Sequence, residues 1–195
     1  MDIGTLYRGI ESARGLDGPS TGMRRKILAI TERSDGSRTV AALLRGAAVG
    51  HPIHPALVAI PVGAWTASLM FDTVLRDPRT ARRLIGLGLV STPPVLLTGW
   101  LDWSERGDVA RRVGLVHAAS NAVGIWSFAA SYRLRGKDSL ALARVLSALG
   151  LAAVGIGGAL GGHIVFRLMD DRLMDDPGVE AASTPVLDPI LDVVN

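Results

Sequence analysis

The sequence has no cysteine among its 195 residues. That excludes disulfides, iron–sulfur clusters, covalently attached c-type haem and thiolate metal sites within the chain. It has no Walker loop, no GxSxG, no HExxH and no GxGxxG at a strand-to-helix junction. The run GIGGALGG lies inside an apolar stretch with no strand before it, so it is not a nucleotide loop. The opening MDIGTLYRGIESARG lacks a basic region followed by an apolar core, so no secretory signal peptide is expected. Motifs of nucleic-acid readers are missing too. The basic residues flank apolar runs, and no nucleic-acid partner is expected.

What is present is charge and apolarity kept apart. Charged residues make up 20% of the chain, yet the mean hydropathy is +0.32. Eight of the 21 basic residues precede His51, while the tail from Asp170 carries seven acidic residues against one basic, Arg172. Between them lie four apolar runs, at 55–75, 84–101, 113–134 and 140–166. A bilayer core needs about 20 mostly apolar residues per helix, with a range of roughly 17 to 25. The polar residues inside the runs are mainly Ser, Thr, Asn and His, and glycine and proline are frequent, as suits membrane helices. Short connectors make neighbouring helices antiparallel. The predicted fold is all-α: an integral membrane up-down-up-down four-helix bundle.

The domain plan follows. Residues 1–49 form a soluble basic arm in which Ser37 to Val49 read as a short amphipathic helix at the interface. Residues 50–168 form the transmembrane domain, and 169–195 a disordered acidic tail. Four spans put both termini on one side. The basic residues near the helix ends nearly balance, and the long arm without a signal favours cytoplasmic termini in a multi-pass protein of the cell inner or plasma membrane.

The chain has four histidines, His51, His54, His117 and His163. On this topology all four fall at one end of the bundle, and Asp102 joins them after the second run. Ionisable groups at membrane depth are costly and usually face the bundle interior or water; a plain interfacial position is the alternative for each. Neutral imidazole is a common ligand for transition metals and haem iron. His117 and His163, on separate helices, are the best candidate pair for haem b or a metal. His54 is a third ligand or an orienting group, and His51 and Asp102 complete the set. Asn121, four residues after His117, shares its helix face and is placed to bond a ligand or fix a ring tautomer. In GHPIHP both histidines precede proline, which pushes them out of the helical region. Pro55 is then expected at the first helical position. Residues three apart in an extended stretch lie about 9 Å apart, so His51 and His54 do not pair on one ion.

Other features have simpler expectations. Trp65 and Trp126 should pack in the bundle, and Trp100 and Trp103 should sit at an interface. Pro61 and Pro93-Pro94 free the carbonyls of Leu57, Leu89 and Val90, with Ser91 and Thr92 nearby to bond that region. Asp72 should pair with Arg76 and Arg79. Gly155, Gly158 and Gly162 line one face, either as a smooth surface for a porphyrin or, through Gly158-x-x-x-Gly162, as a close helix contact.

Three blocks in order, GHPIHPALVAIPVGAWTASLMFD, LTGWLDWSERGDVARRVGLVHAASN and GGHIVFR, resemble the bacterial membrane family named domain of unknown function 2231. The likeness covers about Gly50 to Arg167 and implies a four-helix membrane domain with no established activity. Some relatives resemble fusions to a Rieske-type iron–sulfur domain, which implies a redox association. This chain has no such domain, so a redox partner would be a separate protein. Three functional readings stand: a haem- or metal-binding redox subunit, a non-catalytic membrane scaffold, and a small transport or proton-handling subunit. The lipid bilayer is the surrounding partner in each, and a second copy of the chain remains open.

Overall fold

A computed structural model describes residues 2–137 and 139–168; the acidic tail lies outside them. The described residues are helical, with no strand. The arm folds into α1 (Ile3–Glu11), a 3-10 turn (Arg14–Leu16), α2 (Asp17–Thr31) and α3 (Asp35–Leu44). The bundle comprises α4 (His54–Thr73), α5 (Pro78–Ser104), α6 (Asp108–Leu134) and α7 (Leu140–Arg167).

All four bundle helices are long and apolar enough to cross a membrane. In the most apolar window of each, only 22% to 33% of residues are buried inside the protein. A soluble bundle would have to hide such windows; here their apolar outer faces fit a lipid surround.

Apolar-run length underestimates α5 and α6 at their starts. Asp77 caps α5 by accepting from the backbone N–H of Arg79 and Thr80, each at 3.0 Å, and Pro78 occupies the first turn. Charged Arg79, Arg82 and Arg83 therefore extend the helix outward by more than a turn. Asp108, Arg111 and Arg112 do the same for α6. The helix α4 begins at His54, so Pro55 is its second residue. The short helix expected from Ser37 to Val49 corresponds to α3, which starts earlier and ends at Leu44, with Ser34 and Ser37 forming a capping box at its start.

The packing is that of two hairpins. Helix α4 pairs closely with α5 and α6 with α7, while contacts between the hairpins are sparser. The hairpins meet at mid-bundle, where Trp65 stacks on Phe128 (ring centroids 4.4 Å apart) beside Ile85 and Val154. Gly88 gives Trp65 its place, since a Cβ there would lie 2.2 Å from the indole nitrogen. The close approach of α6 and α7 rests on Gly124, Gly150 and Gly157. A Cβ on Gly124 would lie 3.0 Å from the carbonyl of Gly150, and one on Gly157 would lie 2.5 Å from Asn121. The Gly158–Gly162 spacing does not serve this purpose: a Cβ on Gly158 meets nothing within 4 Å, and one on Gly162 only touches Phe166 at 4.0 Å.

Three further expectations are corrected. Trp126 is 71% exposed and faces outward from the bundle. Trp103 is buried against Gly114 and donates to the carbonyl of Arg111 at 3.0 Å. Asp72 pairs with Arg135, both side chains 1% exposed, with Arg144 next to it. Neither Arg76, where the chain turns with φ +53°, nor Arg79 makes an ion pair with Asp72 among the described residues.

The arm is docked on the histidine end of the bundle. Arg112 binds the Asp17 carboxylate at 2.6 and 2.9 Å and the carbonyl of Glu11 at 2.6 Å. Arg24 donates to the carbonyl of Ser104 at 2.9 Å, and Arg45 pairs with Glu105 at 3.1 Å.

Candidate functional site

Between the hairpins, from the mid-bundle stack to the histidine end, lies a cavity of about 390 Å³. Its walls are mostly apolar, with Val58, Val62, Val95, Ile125 and Ile164 among them. His54, Asp102, Arg106, His117 and Asn121 border it, and Trp65, Trp100 and Trp103 add aromatic surface. Each hairpin pairs tightly and contacts between the two are sparser, so the cavity lies at their seam; of the glycines that border it, only Gly158 has open space at its Cβ.

His54 lies against Gly99, where a Cβ would come within 2.7 Å of its Cε1. Its Nδ1 is 3.0 Å from the carbonyl of Val95 and 3.3 Å from the Thr98 hydroxyl. The position follows from the chain before it. Gly46 turns with φ +100°, and a Cβ there would lie 1.9 Å from the carbonyl of His51. Only glycine fits that close approach, which delivers the HPIHP stretch to the bundle mouth.

His117 is held from both sides. Its Nδ1 donates to the carbonyl of Gly157 at 2.7 Å, and Asn121, one turn further along α6, donates to its Nε2 at 3.0 Å. This fixes the proton on Nδ1, because a carbonyl can only accept. Asn121 therefore sets the orientation of the ring from within the same helix.

His163 is placed elsewhere. Its Nε2 lies 2.6 Å from the Glu11 carboxylate, and Tyr7 stacks on the ring at 4.1 Å with an interplanar angle of 2°. It joins α7 to α1 and does not border the cavity. His51 is exposed in the loop before α4 and also lies outside the cavity. Of the six candidate residues, the structure thus brings four together, His54, Asp102, His117 and Asn121, and separates two. Among the described residues no group of three or more His, Cys, Asp or Glu side chains is arranged to hold a metal ion.

Several contributors escape sequence reasoning. Val95, Thr98 and Gly99 seat His54; Gly157 and Gly161 seat His117; Tyr7 and Glu11 seat His163. The one available signal was Pro93-Pro94, which marks a stretch of α5 with atypical bonding. Ser91 and Thr92 bond there to the carbonyl of Gly88, each at 2.9 Å, rather than to Leu89 or Val90.

Compared with known proteins, residues 50–169 match the family described as predicted membrane protein DUF2231. No curated protein and no solved structure matches the chain. The match spans more than half of the chain, and the chain belongs to that family.

Proposed function

We propose that this DUF2231 member is a membrane-embedded binding protein that holds a lipid-soluble small molecule between its two helical hairpins. The observation that carries the reading is the cavity of about 390 Å³, apolar along its length and polar at one end. The volume lies in the range of small-molecule pockets, and a few convergent polar groups in an apolar cleft are their usual make-up. A molecule with an apolar body and a polar head matches that division, and such a molecule reaches the protein through the bilayer.

Gly158 provides the test. It borders the cavity, and a side chain added there meets no atom within 4 Å at its Cβ. Gly158→Leu therefore adds an apolar side chain at the cavity wall with no clash at its Cβ. Protein purified in mild detergent is extracted with organic solvent, and the extract is analysed by mass spectrometry. The expected result is a stoichiometric compound from the wild type, strongly depleted in Gly158→Leu at equal monodispersity. Equal recovery from both, or no compound above the detergent blank, would sink the reading. The second result is what a pure scaffold predicts.

The redox reading draws support from two imidazoles, His54 and His117, bordering one cavity. The donor set does not fit a haem held by His117 and His163. His117 has both ring nitrogens bonded within the chain, and His163 is engaged by Glu11. An absorbance spectrum and metal analysis of the same preparation decide this: no haem band and no stoichiometric metal removes the redox reading.

A further inference from the structure

We infer that the molecule held in this cavity is a lipid-soluble phenol that donates its hydroxyl proton to Nε2 of His54. The inference rests on the binding reading above and specifies the chemistry of the ligand.

The argument starts from proton accounting at the polar end. The Val95 carbonyl is an acceptor only, so Nδ1 of His54, 3.0 Å away, carries the proton. In the neutral ring Nε2 then has a lone pair, and it makes no hydrogen bond among the described residues. The other imidazole is already used, because Nδ1 of His117 donates to Gly157 and its Nε2 accepts from Asn121. His54 thus presents an acceptor beside an apolar cavity. A donor that reaches this half-buried nitrogen gains a hydrogen bond that none of the described residues supplies.

The remaining lining narrows the class of donor. Arg106 and Asp102, of opposite charge, both border that end, so the lining favours neither sign of headgroup. A neutral hydroxyl suits both. Trp100 and Trp103, which follow the Gly99 that His54 packs on, give that end an aromatic wall suited to a ring next to the hydroxyl, since aromatic groups gain from stacked or edge contacts.

The test compares para-nonylphenol with its methyl ether, para-nonylanisole. The two share the ring and the nonyl chain, and the ether carries a methyl group in place of the donor proton. Binding to the full chain in detergent is measured by equilibrium dialysis, with partition into empty micelles subtracted. Wild type is expected to bind the phenol about tenfold more tightly than the ether, which is ~1.4 kcal/mol. His54→Leu is expected to bind both alike, and its binding of the ether reports that the cavity is intact. His54→Gln, which restores an oxygen acceptor, is expected to recover part of the preference.

A second measurement needs no variant. In the wild type, the NMR resonance of His54 Nε2 is expected to shift with the phenol and not with the ether. Saturable binding of both compounds with equal affinity, or no shift at Nε2, overturns the phenol inference and leaves the cavity reading standing. A full preference retained in His54→Leu overturns the assignment to His54. Saturable binding of neither compound overturns the phenol inference; the cavity reading then stands or falls separately on the solvent extraction.

Discussion

Gly157 and Gly158 are neighbours on α7 with opposite surroundings, and they show how finely the site depends on single residues. A Cβ on Gly157 would lie 2.5 Å from Oδ1 and 2.8 Å from Nδ2 of Asn121. Gly157→Ala must therefore move the amide that bonds His117. It is expected to lower stability by about 1–3 kcal/mol, the usual cost of overpacking, and to weaken ligand binding. Gly158→Ala, with open space at its Cβ, is expected to leave stability unchanged or raise it. Thermal unfolding of the two variants in detergent checks the contrast, and equal effects would contradict it. At this scale part of the site was legible. Asn121 stands four residues from His117, and helical periodicity alone puts them on one face. That Gly157 and Val95 receive the imidazoles was not legible, because each lies about 40 positions from its histidine.

At the scale of elements, helix ends are held by charged groups that apolar runs hide. Asp72, near the end of α4, was visible as a break in an apolar run. Its partner Arg135 is 63 positions away at the end of α6, and Arg144, which also donates to the Asp72 carbonyl at 3.0 Å, is on α7. Ser131 and Ser147 bond each other at 2.8 Å beside the pair. The group ties three helices at the end opposite the cavity. Removing one member of a buried pair leaves an uncompensated charge, at a cost of about 3–5 kcal/mol. Asp72→Ala is expected to destabilise by that amount, while Asp72→Leu combined with Arg135→Leu costs clearly less. Unfolding measured for both, with the double variant no better than the single, would argue against the pair as the tie. The arm helices show the same limit. The amphipathic pattern after Ser37 marks α3 in the sequence, but nothing local says that α1 lies against α6 and α7.

For the whole molecule, the arm is held on the bundle by a junction that includes the Arg112–Asp17 and Arg45–Glu105 ion pairs. The Asp17 carboxyl lies outside the spanning helices, and its hydrogen bond to Arg112 holds it below the usual carboxylate range. A carboxyl depressed in the docked state adds to docking above its ordinary pKa, about 3.9. That contribution is lost as pH falls through the docked-state value. The arm is thus expected to be docked at neutral pH and to loosen below about pH 4, with amide hydrogen exchange rising across residues 3–31 before the bundle opens. Arg112→Gln is expected to show raised exchange there already at neutral pH. Unchanged protection of the arm on acidification would count against this junction. The two-hairpin arrangement is likewise a property of the whole: α5 and α6 are consecutive too, yet α4–α5 and α6–α7 are the close pairs, and the seam between them becomes the cavity.

Read by itself, the sequence determined the class of the protein. Four long apolar stretches with short connectors leave a membrane bundle of antiparallel helices as the economical way to satisfy the backbone in lipid. The same topology brings the histidines to one end, since alternating direction is a one-dimensional rule. Which of them share a site was decided by tertiary structure. His54 and His117 turn inward because α5 and α7 offer carbonyls and glycine gaps there. His163 turns away because the arm, 152 positions distant, brings Glu11 and Tyr7 to it. Periodicity records which side of a helix a residue occupies. It carries no record of the neighbour that folding places opposite, and the site is made of such neighbours.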